Sequence, residues 1–369
     1  MNDPQPTVPA AIGPDLCLLR LSALGDVSHV VAVAQRLQRD LPGVRLTWII
    51  GKLEHRLLEG LPGVEFIVVD KKSLWPSLKS LRRQLRGRCF DALLHMQISL
   101  RANLVASCVR ARRRIGLDPA RSKDLHGLFV RERIRPAPPG GEHVVSALMA
   151  FTEKLGLAPA VPAWLMPIPA EAHAFAAEQL PPDRRWLGMN LCSSHALRNW
   201  PAERQAALIR HAVERHGMAA VLLGGRSALE RAYADAITRA LSFPVLDLVG
   251  KDTLKQLLAL LQRLSVLVSP DSGPMHLASA VGTPVIGLHA ASNPKRSGAW
   301  NSQAWAVDRY DDAARTYRGK PAAELPWGSK IEAAGVMELV TVAEVCEMLD
   351  RFVAAGLGDE QYAQCERES

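Results

Sequence analysis

Three short stretches of this sequence carry residue types from which chemistry could be built. In LLRLSALGDVSHVVAV (18–33) an apolar run ends at Leu21, a small-residue turn follows, and Asp26 opens an apolar-periodic segment that reads as a helix. A carboxylate there either caps the helix, meeting unpaired N–H groups and the positive end of the dipole, or serves as a base held over a cleft. In NLCSSHALRNWP (190–201) the hydroxyls of Ser193 and Ser194 and the cation of Arg198 offer donors and charge to a phosphate. The plainer alternative is a polar loop leading to a helix begun by Pro201. In SPDSGPMHLASAVGTPVIGLH (269–289) a strand ends at Asp271, Ser272 and Gly273 make a tight turn, and His276 falls in the first turn of the next helix. Free N–H groups and the dipole favour an anion there, such as a diphosphate. The Ser272 hydroxyl and Gly273 backbone suit close phosphate approach. Asp271 would repel phosphate and is better placed to bond sugar hydroxyls or to orient His276.

These turns need strands to hold them. LCLLRL (16–21), RLTWII (45–50), EFIVVD (65–70) and FDALLHM (90–96) are apolar runs that alternate with helical stretches, the signature of βαβ units and a parallel sheet. A Pro/Ala-rich segment, APAVPAWLMPIP (158–169), breaks the pattern, and a linker is placed at 161–170. The pattern then restarts with WLGMNLC (186–192), AAVLLGG (219–225), PVLDLVG (244–250), LSVLVSP (264–270) and TPVIGLH (283–289). The expected organisation is a disordered tail (1–14), Rossmann-like domains at 15–160 and 171–345, and a C-terminal helix and tail (346–369) frayed beyond Gly358. Ligands of such sheets sit beyond the carboxyl ends of the strands, where all three turns fall.

Composition narrows the class. No apolar run of the 369 residues approaches the ~18–20 needed to span a bilayer. The Pro-rich start lacks the pattern of a signal peptide, so a cytoplasmic location is expected. The six cysteines are scattered without C-x-x-C, and neither H-E-x-x-H nor D-x-D occurs, so neither a protein-held metal nor a cofactor is expected. G-x-G-x-x-G after the first strand and a Walker lysine are also missing. The net charge of +8 is concentrated: residues 82–135 hold fourteen Lys/Arg against four acids. That block reads either as an anion-binding region or as a solvated basic face. Nucleic acid is disfavoured, because no aromatic-interleaved surface or known module accompanies the arginines.

RLSALGDVSHVVAVAQRL resembles the opening of the ADP-heptose:lipopolysaccharide heptosyltransferases, glycosyltransferase family 9, and DSGPMHLASAVGTPVIGLH and SSHALRNWP resemble that family's donor-site signature and phosphate loop. The likeness runs over roughly residues 15 to 350, with the motifs in order. It implies a GT-B fold, two facing Rossmann-like domains with parallel sheets and a cleft between them, the first taking a lipid-linked acceptor and the second a nucleotide-sugar. It also implies inverting transfer without a metal, with Asp26 as general base. Ser193, Ser194 and Arg198 match diphosphate contacts, Asp271, Ser272, Gly273 and His276 the donor-binding turn, and Arg101 in HMQISLRAN an acceptor-contacting cation. Two departures stand out. Arg198 replaces the commoner Lys, and LHAASNP (288–294) lacks a glycine often found there.

On that reading, an acceptor hydroxyl attacks opposite the leaving diphosphate and Asp26 takes its proton. An unperturbed Asp, pKa about 3.9, is a weak base that burial or crowding would raise. The helix start, the serines and Arg198 neutralise the departing diphosphate. The basic block meets the anionic lipopolysaccharide core precursor and holds the enzyme peripherally on the inner face of the inner membrane. The competing readings are a GT-B nucleotide-sugar epimerase and a nucleotide-sugar-binding protein without turnover.

Overall fold

The computed structural model describes residues 13–356. The expected tail ends, 1–12 and the stretch beyond Gly358, lie outside the described residues. Two units form, one of residues 1–139 and 144–165, the other of 140–143 and 166–369.

The first unit is built on β1 (Asp15–Leu19), β2 (Arg45–Gly51), β3 (Val64–Val69), β4 (Phe90–His95), β5 (Ala111–Gly116) and β6 (Glu132–Arg133). All pair in parallel in the order β3-β2-β1-β4-β5-β6. Helices α1 (Leu24–Asp40), α2 (Lys52–Leu58), α3 (Leu74–Gln84), α4 (Leu100–Ser107) and α5 (Val144–Lys154) cover it. Cys17 and Leu19 pack with Leu78, Leu81, Ala102 and Val105 of α3 and α4, while the alternate residues Leu16 and Leu18 are equally buried. A strand buried on both faces must be apolar throughout, which is why LCLL is legible in the sequence.

The second unit repeats the plan with β7 (Trp186–Asn190), β8 (Ala219–Leu223), β9 (Leu246–Asp247), β10 (Val266–Pro270), β11 (Val285–His289) and β12 (Val307–Asp308). Their order is β12-β11-β10-β7-β8-β9, again all parallel. Around them lie α6 (Ala170–Gln179), α7 (Ala202–His216), α8 (Ala228–Ala240), α9 (Leu254–Gln262), α10 (Gly273–Ala280), α11 (Pro294–Ser297), α12 (Tyr310–Arg318) and α13 (Val342–Ala354). Strand order thus reverses at β1/β4 in one unit and at β7/β10 in the other. Crevices of doubly wound sheets open at such points.

The domain bounds differ from the sequence reading in two places. Helix α13 begins at Val342, and its Val345, Leu349 and Phe352 are fully part of the second unit's core rather than an appendage after 345. Residues 140–143 belong to the second unit although both flanks belong to the first. Gly141, at φ +79°, sits where a Cβ would fall 2.1 Å from the Trp327 ring, so the strap passes where only glycine fits. Trp327 Nε1 donates to the Glu142 carbonyl (2.7 Å), and His143 Nε2 donates to that of Gly298 (2.9 Å). Burial pushes the His143 pKa down to about 4, keeping the ring neutral at that bond.

Candidate active site

Asp26, the third residue of α1, lies at the switch point of the first unit, seven residues beyond the end of β1. Its Oδ2 accepts from the Ala23 N–H (3.2 Å) and from the Arg20 guanidinium (2.6 Å). The capping role is therefore real, and it is compatible with the other, because Oδ1 takes no part in these bonds. Arg20, which sequence reasoning passed over, also donates from Nε to the Ser22 carbonyl (2.9 Å) and from a terminal nitrogen to that of Met96. Gln97 Oε1 accepts from the Leu21 N–H (2.6 Å). The ends of β1 and β4 are thereby tied around the carboxylate. Burial pushes the Asp26 carboxyl up, but Arg20, His29 and the Ala23 N–H outweigh that and hold it below the ordinary value. Arg101 is exposed in the first turn of α4, after β4, on the same edge of the sheet.

At the second unit's switch point, Asn190 at the end of β7 donates from Nδ2 to Ser269 Oγ and Ser272 Oγ, 2.9 Å each, and the two hydroxyls are 3.0 Å apart. Ser269 Oγ also donates to the Pro270 carbonyl (2.8 Å), so Ser272 supplies the proton between the two serines. The Ser272 hydroxyl therefore braces β7 against β10. It is the N-cap of α10, and Gly273, Met275 and His276 contribute the N–H groups of the helix start, Pro274 having none.

Asp271 has a side chain only 9% exposed. One oxygen is 3.5 Å from His276 Nε2, and the other is 3.2 Å from Ser297 Oγ and 3.8 Å from Lys330 Nζ. Burial opposes its charge, yet His276, His289 and Lys330 hold its carboxyl well below the usual range. Lys330 is missed by motif reading because nothing in its loop announces it. It is positioned by the buried Ile331, whose N–H bonds the Ala291 carbonyl (2.8 Å), and by Tyr310, whose hydroxyl bonds the Ser329 carbonyl (3.0 Å). Burial depresses the Lys330 pKa and Asp271 partly restores it.

The serine loop after β7 is more self-contained than its sequence suggests. Ser193 Oγ lies 3.0 Å from both the His195 carbonyl and Asn199 Oδ1, and Asn199 Oδ1 also accepts the Ser193 N–H (2.7 Å). The Ser193 hydroxyl thus shapes the loop, while Ser194 is exposed. Arg198 donates to Glu332 Oε1 (2.8 Å), and His195 Nε2 is 3.6 Å from the other oxygen. An incoming phosphate must share Arg198 with Glu332.

The basic block is also partly spent inside the protein. Arg112 pairs with Asp91, Arg113 with Glu132, Arg121 with Asp118, Arg135 with Glu153 and Arg88 with Glu65. Arg114 bonds the carbonyls of Ala106, Val109 and Phe129. Arg82, Arg83, Arg86, Arg101, Arg110, Lys123, Arg131 and Arg133 are exposed. Among the described residues, the candidate ligand atoms of His211, His216 and Asp350 lie within 4.8 Å of one another. They come from two helices far apart in sequence, which spacing rules do not detect.

The chain thus combines two parallel Rossmann-like units with an anion-favouring helix start at a switch point. Residues 78–327 match glycosyltransferase family 9 (heptosyltransferase), and the chain belongs to that family. It is 38% identical over 337 residues to the lipopolysaccharide core heptosyltransferase OpsX of Haemophilus influenzae, covering 91% of this chain and 96% of that protein. A lipopolysaccharide heptosyltransferase 3 of Escherichia coli is 27% identical over 73% of this chain and 80% of its own. The fold is shared with a family 9 glycosyltransferase of Veillonella parvula (TM-score 0.76, 20% identity, 94% of this chain and 99% of that one). It is also shared with the E. coli heptosyltransferase WaaC with ADP (TM-score 0.69, 18% identity, 91% and 99%). The protein is a glycosyltransferase of GT-B fold.

Proposed function

We propose that this chain transfers a heptose from ADP-heptose to a lipid-linked acceptor of the lipopolysaccharide core, with inversion and with no metal in the transfer step. What carries the reading is the pair of built switch points in a family 9 chain: a carboxylate anchored through Oδ2, and a helix start beside a buried Asp–His–Lys group. The acceptor oxygen bonds the anomeric carbon as the bond to the diphosphate oxygen breaks, and the hydroxyl proton goes to Asp26. A carboxylate held below its ordinary pKa is a weak base, so it takes the proton late, once the new bond has made the hydroxyl acidic. Negative charge appearing on ADP meets the N–H groups of α10, Lys330, Arg198 and the exposed Ser194 hydroxyl, with Ser193 shaping the loop that carries Arg198. Asp271 faces sugar rather than phosphate, and Arg101 faces the acceptor.

Thermal unfolding with ADP, UDP and GDP tests the donor class: ADP should raise the midpoint most, and equal shifts would remove the adenine assignment. Transfer assays with a panel of truncated core acceptors test the other half.

The exposed cations give the chain a reason to gather at the cytoplasmic surface of the inner membrane, each contributing roughly 1 kcal/mol near an anionic surface. No described helix is long and apolar enough to cross a membrane. Sedimentation with anionic vesicles should therefore be strong at low salt, weak at high salt and missing with neutral lipid. Binding that ignores salt would rule out the electrostatic account.

A further inference from the structure

A second cluster in the second unit takes no part in transfer. Helix α7 follows β7 and runs back along the sheet for about 22 Å at 1.5 Å per residue. Its last turns therefore lie toward the amino ends of the strands, opposite the Asp271–His276 turn. There His211 and His216 both place Nε2 2.6 Å from a single oxygen, Oδ1 of Asp350 on α13. The two rings meet edge to face with centroids 5.5 Å apart. All three side chains are half-buried, and the candidate ligand atoms lie within 4.8 Å of one another. Arg215 Nε is 3.4 Å from the other carboxylate oxygen, Oδ2, so the guanidinium orients Asp350 without occupying the oxygen that both imidazoles share.

Two imidazole nitrogens and one carboxylate oxygen form the donor set of a borderline divalent cation, and solvent-accessible side chains leave water to complete the coordination. Tetrahedral ligation at about 2.0–2.1 Å from the ion sets ligand atoms some 3.3 Å apart. The contacts now at 2.6 Å need to open by about 0.7 Å, within reach of half-buried side chains. We propose that His211, His216 and Asp350 bind a divalent transition-metal ion of the zinc type, which staples α13 to α7. The role is structural. Helix α13 inserts Val345, Leu349 and Phe352 into the core, and an ion bound only in the folded state adds its binding free energy to that packing.

The test is titration of the full chain, stripped with EDTA and desalted, with zinc chloride, followed by calorimetry and thermal unfolding. The wild type should take up one saturable equivalent and unfold at a higher temperature. His211→Ala and Asp350→Asn should each weaken that binding by more than about tenfold, since losing even an outer-shell partner typically costs about 10–100-fold. Their ADP-induced thermal shift should be unchanged. Absorption of bound cobalt provides a readout independent of stability, present in the wild type and lost in Asp350→Asn, which keeps the side-chain shape. No zinc uptake by the wild type, or uptake and cobalt spectrum unchanged in both variants, overturns the proposal.

Discussion

Asp26→Asn should lower transfer by about 10²–10⁴-fold, the range associated with a positioned general base, while ADP binding by the second unit stays intact. Asn keeps the shape and an oxygen that can accept from Ala23 and Arg20, so the start of α1 should survive the change. What disappears is the charge and the basic second oxygen. The wild-type pH profile supplies a second check. Because Arg20 and the Ala23 N–H hold the carboxyl below its ordinary value, Asp26 stays ionised as pH falls through that value, and its contribution to the rate is lost only in more acid solution. Arg20→Ala removes the main opposing charge, so the acid limb should move to higher pH. Single-turnover assays measure both. An Asp26→Asn enzyme with wild-type turnover would take Asp26 out of the reaction.

Asp271→Ala is expected to damage two properties together. Transfer should fall by about 10²–10³-fold, as when one preorganised stabilising group is deleted. The second unit should also lose about 3–5 kcal/mol, the usual cost of breaking a buried charge group and stranding its partners, here His276 and Lys330. The sign of the pH effect follows from the depressed carboxyl. Its stabilisation is complete above the ordinary carboxylate pKa and is lost as pH falls through that value toward the lower folded one. Wild type and variant should therefore converge in stability on acidification. Asp271→Asn separates the two effects, since it keeps a hydrogen-bonding side chain for Ser297 and removes the charge. Denaturant unfolding at several pH values, beside donor binding, reads them out; equal stability of Asp271→Ala and wild type at neutral pH would sink the electrostatic account.

Much of the scaffold was legible because doubly buried parallel strands must be continuously apolar. LCLL, LTWII, VLVS and VIGL announce themselves, and the turns after β1, β7 and β10 could be picked as ligand turns. Strand β5 could not. Its sequence ARRRIG is three arginines whose side chains are taken up by Asp91, Glu132 and backbone carbonyls, so it looks like a solvated charge run. The same pairing is why counting arginines overstated the free charge of residues 82–135. At the site, local motifs located Asp26, Asp271 and His276. Arg20, Asn190, Lys330 and Glu332 were illegible because their meaning comes from partners 6 to 134 residues away. The internal bonds of the Ser193 and Ser272 hydroxyls were illegible for a related reason: sequence shows a donor but not what receives its proton.

The strap at 140–143 bears on how such proteins can be recombined. A chimera spliced at 165/166, the natural-looking seam, would import a second unit whose Trp327, Trp300 and Gly298 meet a foreign tetrapeptide encoded within the other parent's N-terminal segment. Gene-shuffling designs therefore need to carry Gly140 to His143 with the C-terminal cassette, so that modular exchange in this fold takes two grafts rather than one.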